Sequence, residues 1–560
     1  MEFLDSRRLP GPNLLFDGPA AVLDVACSAE EADAIEVCWR RAVEAMLAAL
    51  DWRDVEITRK DHIGGLSLGF TAPIDVLYAA CEVNQWAWEV CDAELGEGEP
   101  PDFEATKATI EASAAEERNP QLIDMQNRAL ERGVEFLWDD DEASLGLGRT
   151  SQTWPVRELP DLDSLDWSSF ERVPVGMITG TNGKTTSVRL AVHVLRVAGH
   201  DVGVSSTDWI AVNDEIIDRD DWSGPGGARA VLRRNEVDAA VLETARGGLL
   251  RRGLGVEYAD ASLITNISED HLGDFGSRDL DELLDIKWIV SRPVRERGQL
   301  VLNADDERLV AKAADYPGRI VWFSLDPDNA IVKAHVDNGG SAWVCDGDEL
   351  IRIENGAREL ICRDRDIPIT LGGAARHNTA NALAAAALTA CLGASNAAIR
   401  DGLATMSQDE NPGRCNVYDV KGRSILIDFA HNPKAMQALF DMARALPAKR
   451  RALCFGQAGD RPDDLIRELT QSAWSIGLDR VFVSELSKYH RGREHGDVFR
   501  IIRDELVRLG ASEDQVEHNE LESETFASAF EWAEEGDLVI MLALGGAAPI
   551  QAQIRELEER

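Results

Sequence analysis

Two regimes of apolar and polar positions divide this 560-residue chain. Before Val173 the apolar residues collect into long stretches of helical spacing with few short runs. There, 31–50, 74–92 and 103–132 predict helices, the last strongly charged, and 55–58 and 66–70 predict strands. Trp86 and Trp88, with Cys81 and Cys91, read as core. Segment 133–149 predicts a strand and a glycine turn, and 159–168, rich in Asp and Ser, a linker.

From Val173 onward short apolar runs alternate with amphipathic stretches. Strands are predicted at 173–179, 202–206, 239–243, 262–267, 300–303 and 320–323, with helices between most of them, the signature of a parallel sheet wrapped by helices. Segment 330–371 breaks the rhythm with hairpins expected around Asn338-Gly339-Gly340 and Asn355-Gly356. A helix at 377–392 and a polar hinge at 407–412 follow. Strands at 424–429, 452–455, 481–484 and 538–543 then resume the α/β rhythm.

The run 173–179 ends in Gly180-Thr181-Asn182-Gly183-Lys184-Thr185-Thr186, and a helical stripe through Val188, Ala191, Leu195 and Ala198 follows up to Gly199. Strand, glycine loop and helix make a phosphate cradle. Loop amides and the helix N-terminus attract anions, Lys184 reaches the terminal phosphates, and the Thr185 hydroxyl can sit on Mg²⁺. The loop is a shortened variant, with Ile178 where the general pattern has its first glycine.

Composition narrows the options. A length of 560 suits about three domains, and 44% hydrophobic residues supply packed cores. The net charge of -42 argues against a nucleic-acid partner and suits either a cationic amine substrate or simply a solvated acidic surface. Nine scattered cysteines, none in C-x-x-C spacing, predict buried thiols in a reducing compartment. The opening MEFLDSRRLPGPN lacks a signal-type apolar stretch, and no membrane span is evident, so a cytoplasmic protein is the expectation.

Several residues end predicted strands near the loop. Glu243, in Glu243-Thr244-Ala245-Arg246-Gly247-Gly248, can hold a metal or a bridging water. His271, after Thr265-Asn266-Ile267-Ser268-Glu269-Asp270, can complete a metal shell or touch a phosphate. Lys287 reads as an ordinary helix lysine, while Arg246, Arg251 and Arg252 offer forked donors to carboxylate or phosphate. Asn378, Arg414, Asp428 and His431 lie at element ends farther on.

Taken together, 179–186, 243–248, 265–272, 377–381, 411–414 and 428–433 resemble the Mur ligase family, the ATP-dependent amide-bond formers. The opening Arg8-Leu9-Pro10-Gly11-Pro12-Asn13 and the segment 145–152 resemble a branch of that family that also carries an ATP-grasp module; that module is not apparent here, which leaves one ATP site. The resemblance implies an α/β protein. It has a P-loop parallel-sheet central domain (172–408), a Rossmann-like C-terminal domain (409–560) and an α+β N-terminal domain (1–165).

It also implies roles. ATP would be held by Gly180, Thr181, Asn182, Gly183, Lys184, Thr185, Thr186, Asn378, Arg414 and Asp428. Mg²⁺ would be held by Thr185, Glu243 and His271. Lys184, Glu243, His271, Lys287 and His431 would be catalytic, with Lys287 at the place of a carbamylated lysine in many members. Phe429 stands where the family often has Tyr. Arg246, Arg491 and Arg493 are expected to bind substrate. The implied reaction activates a substrate carboxylate as an acyl phosphate and joins it to an amine, such as an amino acid of arginine or lysine type. Two alternatives stand beside it: a ligase for an unrelated small peptide or γ-glutamyl chain, and a non-catalytic polymer- or peptide-binding protein. No nucleic-acid or membrane partner is expected, and a homo-oligomer is an open option.

Overall fold

The computed structural model describes residues 1–96, 98–269 and 279–559. Its largest element is an eleven-stranded sheet with Val175–Thr179 near its middle. That strand lies between Ala239–Glu243 and Ala261–Ile264, parallel to both. Val202–Ser205, Gln299–Asn303, Arg319–Ser324 and Ser341–Asp346 extend the parallel portion to either side. These strands are almost wholly buried because helices cover both faces, which is why they read as unbroken apolar runs. Antiparallel strands close the two edges.

A six-stranded sheet follows, ordered Asn416–Val420, Arg423–Asp428, Leu538–Leu542, Arg451–Phe455, Arg480–Ser484 and Val516–Asn519, parallel but for its first strand. Ahead of both, Glu2–Leu9, Ala20–Ala26, Gly65–Thr71 and Ile57–His62 form an antiparallel sheet packed on Ala29–Ala49 and Leu77–Leu95 around Trp39, Phe70 and Trp86. A three-stranded sheet, Phe136–Trp138, Glu142–Leu145 and Gln152–Pro155, joins this unit to the next. Leu137 and Leu147 sit in the core beneath the large sheet. The fold is the expected α/β arrangement, with a phosphate-loop sheet followed by a second parallel sheet.

Several expectations are corrected. The single helix at 103–132 is two, Phe103–Glu117 and Pro120–Arg132. Pro120 has no N–H to continue the first helix, and the Asn119 side chain accepts from Leu122 N to cap the second. Asn338-Gly339-Gly340 ends the helix Ala330–Asp337 rather than turning a hairpin, and the next strand pairs in parallel with Arg319–Ser324. Asn355-Gly356 does turn a hairpin, both residues at positive φ. Segment 159–168 is a packed strap, with Leu162 in the first core and Gln121 Nε2 on Pro160 O at 2.8 Å. All nine cysteines are free thiols.

Candidate functional site

The phosphate loop bridges the strand Val175–Thr179 and the helix Lys184–Val197. Gly180 takes φ +142° and Gly183 φ +84°, and a Cβ would lie 1.9 Å from Thr265 Oγ1 at 180 and 2.2 Å from Asn381 Oδ1 at 183. No other residue type fits either place. Neighbouring segments fix the loop from outside: Thr181 N donates to Asn266 O (2.8 Å) and Asn182 N to Asn266 Oδ1 (3.1 Å). Two lysines donate to its carbonyls, Lys184 Nζ to Thr181 O (2.9 Å) and Lys287 Nζ to Gly180 O (2.7 Å).

Glu243 ends the neighbouring parallel strand, in register with Ile178. Its side chain is 1% exposed, and Thr185 Oγ1 approaches its Oε1 at 3.4 Å. Oε2 has no hydrogen-bond partner. Burial pushes the carboxyl pKa up, opposed chiefly by Lys184. An orphaned carboxylate oxygen beside a threonine hydroxyl and a phosphate cradle fits a divalent cation, the group that would satisfy it. His271, the third expected metal ligand, lies outside the described residues.

The loop opens into a cleft of about 870 Å³ walled by both large sheets. Thr181, Asn182, Gly183, Lys184, Thr185, Thr186, Glu243, Arg246, Lys287 and Asn378 line it from the first. Arg414, Asp428, His431, Lys434, Arg461, Tyr489 and Arg491 line it from the second.

Several of these groups are already engaged. Asn378 Nδ2 donates to Ile369 O (2.8 Å), and its Oδ1 accepts from Asn381 Nδ2 (3.2 Å). Asp428 accepts from Cys415 N (2.8 Å) and Ala430 N (2.7 Å), while the Arg414 guanidinium lies 4.5 Å over Phe429. His431 Nδ1 faces Phe429 O at 3.1 Å. His377, beside Cys415 Sγ, has its pKa lowered by burial. Arg491 pairs with Asp460 at the rim. Arg493 is outside the cleft lining: it donates to Gly459 O and Arg461 O, both at 2.7 Å, and pairs with Asp463, so its fork ties two loops together.

Sequence reasoning did not single out Arg189 or Asn432. Arg189, on the helix after the loop, is buried with its guanidinium 4.7 Å over Trp209. It pairs with Asp208 and donates to Asn411 Oδ1 and Pro412 O, both at 3.1 Å. Burial pulls its pKa down to about 10. One turn on, His193 meets Glu410 (2.7 Å) and Thr405 Oγ1 (2.9 Å). The loop's helix thus holds the connector that leads to the second sheet.

Comparison with known proteins matches two family models: the Mur ligase middle domain over residues 178–389 and the Mur ligase glutamate ligase domain over 413–545, together more than half of the chain. A cyanophycin synthetase of Synechocystis is 35% identical over 65% of this chain and 43% of its own length. That of Trichormus variabilis is 36% identical over 60% and 38%. The chain therefore spans about two fifths of these curated relatives. Among solved structures, E. coli FolC in complex with DHPP and ADP shares the fold at 18% identity, covering 69% of this chain and 89% of that one with a TM-score of 0.51.

Proposed function

Because this chain belongs to the Mur ligase family through its middle and C-terminal domains, we propose that it is an ATP-dependent ligase joining a substrate carboxylate to an amine. The observation that carries this reading is the orphaned Oε2 of buried Glu243 beside a glycine-constrained phosphate loop, at the floor of a cleft shared by two sheets. When bound, ATP supplies the phosphoryl group that activates the carboxylate, and Mg²⁺ offsets the charge of the phosphates.

The chain's own residues do the rest. Loop amides and Lys184 hold the phosphates, with Thr185, Glu243 and His271 as the metal ligands. Asn378, Arg414 and Asp428 are the nucleotide contacts, although the Asn378 amide must leave Ile369 or Asn381 to read a base. Lys287, donating to Gly180 O, shapes the loop; a carbamate on Nζ would keep one N–H for that bond. His431, Arg246 and Arg491 face the acid and amine substrates, whereas Arg493 acts through the loops it ties.

The amine is an amino acid of arginine or lysine type, which the net charge of -42 would draw in, and the acceptor is acidic or peptidic. The working division is 1–165, 172–408 and 409–560, in a cytoplasmic protein. No described helix is long and apolar enough to cross a membrane. Phosphate release measured across a panel of amines and acidic acceptors tests the proposal. Stimulation by one pair, abolished in Lys184→Ala, is expected; no stimulation by any pair favours a binding protein instead.

A further inference from the structure

The motif Arg8-Leu9-Pro10-Gly11-Pro12-Asn13 lies outside both family matches, and the ligase reading leaves it unused. Its structure is a rigid strap. Asn13 is fully buried and uses its whole amide to hold it: Nδ2 donates to Gly11 O and Gly18 O (both 3.0 Å), and Oδ1 accepts from Leu15 N (2.9 Å) and Phe16 N (3.0 Å).

The strap presses on the helix Arg246–Arg252 and its end. Leu254 N donates to Pro12 O (2.8 Å), and Arg7 Nε donates to Leu250 O (3.3 Å). The contact is close enough that a Cβ on Gly11 would meet Leu254 O at 2.4 Å, and one on Gly253 would meet Pro12 O at 2.8 Å.

The same N-terminal unit grips a second helix, Leu280–Trp288, through the hairpin between Ile57–His62 and Gly65–Thr71. Lys60 pairs with Asp285 (2.5 Å), and Ile63 N donates to Glu282 Oε1 (2.6 Å). Just past that helix, Asp17 pairs with Arg292 and Arg295. The two gripped helices pack on each other and supply Arg246 and Lys287 to the cleft. Glu282 and Asp285 share one face of the second helix, and Lys287, 3% exposed, reaches from another face to Gly180 O.

We infer that the N-terminal unit is a positioning element for the cleft wall that bears Arg246 and Lys287, clamping both helices from behind. Its use in catalysis rests on the ligase reading above; the clamp itself does not.

The test uses the full chain and an amine-acetylating reagent, with Lys287 modification followed by mass spectrometry and Lys184 as internal reference. Local opening sets the rate at a buried lysine. Lys60→Glu and Asp17→Lys, at separate contacts, should each raise Lys287 labelling about fivefold with Lys184 unchanged. Lys60→Arg should restore the wild-type rate. Asp285 keeps Lys312 as a partner at 2.6 Å, so the first variant retains a paired carboxylate and should fold. With the substrate pair found by phosphate release, both variants should raise KM for the acceptor, through Arg246, and KM for ATP, through the loop that Lys287 shapes. Unchanged Lys287 labelling in two folded variants would overturn the clamp. Labelling needs no substrate, so shifted labelling without turnover from any pair would sink the ligase reading alone.

Discussion

Asn432 Nδ2 donates to Asn182 Oδ1 at 2.8 Å, joining the phosphate loop directly to the unit built on the second sheet. Asn432 is also the N-cap of the helix Pro433–Ala445, its Oδ1 accepting from Ala435 N at 2.9 Å. One buried amide therefore starts a helix and reports on the loop.

Asn432→Ala removes both bonds. The lost cap should cost about 1 kcal/mol, read as a lower denaturation midpoint. Asn432→Asp keeps the cap but loses the donor to Asn182. Nucleotide affinity measured by calorimetry should fall in both, while stability falls mainly in the alanine variant.

Gly183→Ala places a methyl group 2.2 Å from Asn381 Oδ1 at a positive φ. Nucleotide binding should be lost, whereas Gly199→Ala, also at positive φ but with open space around it, should bind normally. Equal affinity in the two variants would contradict the cradle geometry.

Glu135 supplies a pH dependence. Burial pushes its carboxyl up to about 7, with Arg172 at 2.5 Å opposing the shift and Glu257 and Asp260 adding to it. A raised folded-state value means that the contribution is fully present below the unfolded value near 4.5 and is lost as pH rises through 7. Between those limits the wild type should lose up to about 3 kcal/mol relative to Glu135→Gln. Urea melts at pH 4.5 and 7.5 measure the difference; a constant gap would show that Glu135 titrates normally.

Salt should stabilise the chain. With 100 acidic against 58 basic residues, self-repulsion opposes compaction and is screened as the Debye length falls from about 10 Å at 0.1 M to about 3 Å at 1 M. Tm should rise on going from 0.1 M to 1 M KCl, and more than it does for a variant with several exposed acids neutralised.

What could be read from the sequence was local. Glycines demanded by the loop, and apolar runs buried on both faces, announce themselves within a few residues, as at Val175–Thr179 and Leu538–Leu542. Glu2–Leu9 did not, because an edge strand with mostly exposed residues carries no alternation and is defined by its partner Ala20–Ala26. Nothing local marks Arg189 as buried; its partners include Asn411, 222 residues away. Residue chemistry suggests Arg493 as a substrate binder, but it does not reveal that Nε and Nη2 already donate to Gly459 O and Arg461 O.

The bond from Arg7 to Leu250 spans 243 positions. During synthesis the strap leaves the ribosome long before the helix it will press against exists, and at 5–20 residues per second the wait is on the order of tens of seconds. Over that interval the apolar residues around Trp39 and Phe70 have partners within the early segment, whereas Leu137 and Leu147 wait for the large sheet. Docking of the strap is thus a late, long-range closure, and damage to it should appear first as slow maturation of newly made protein.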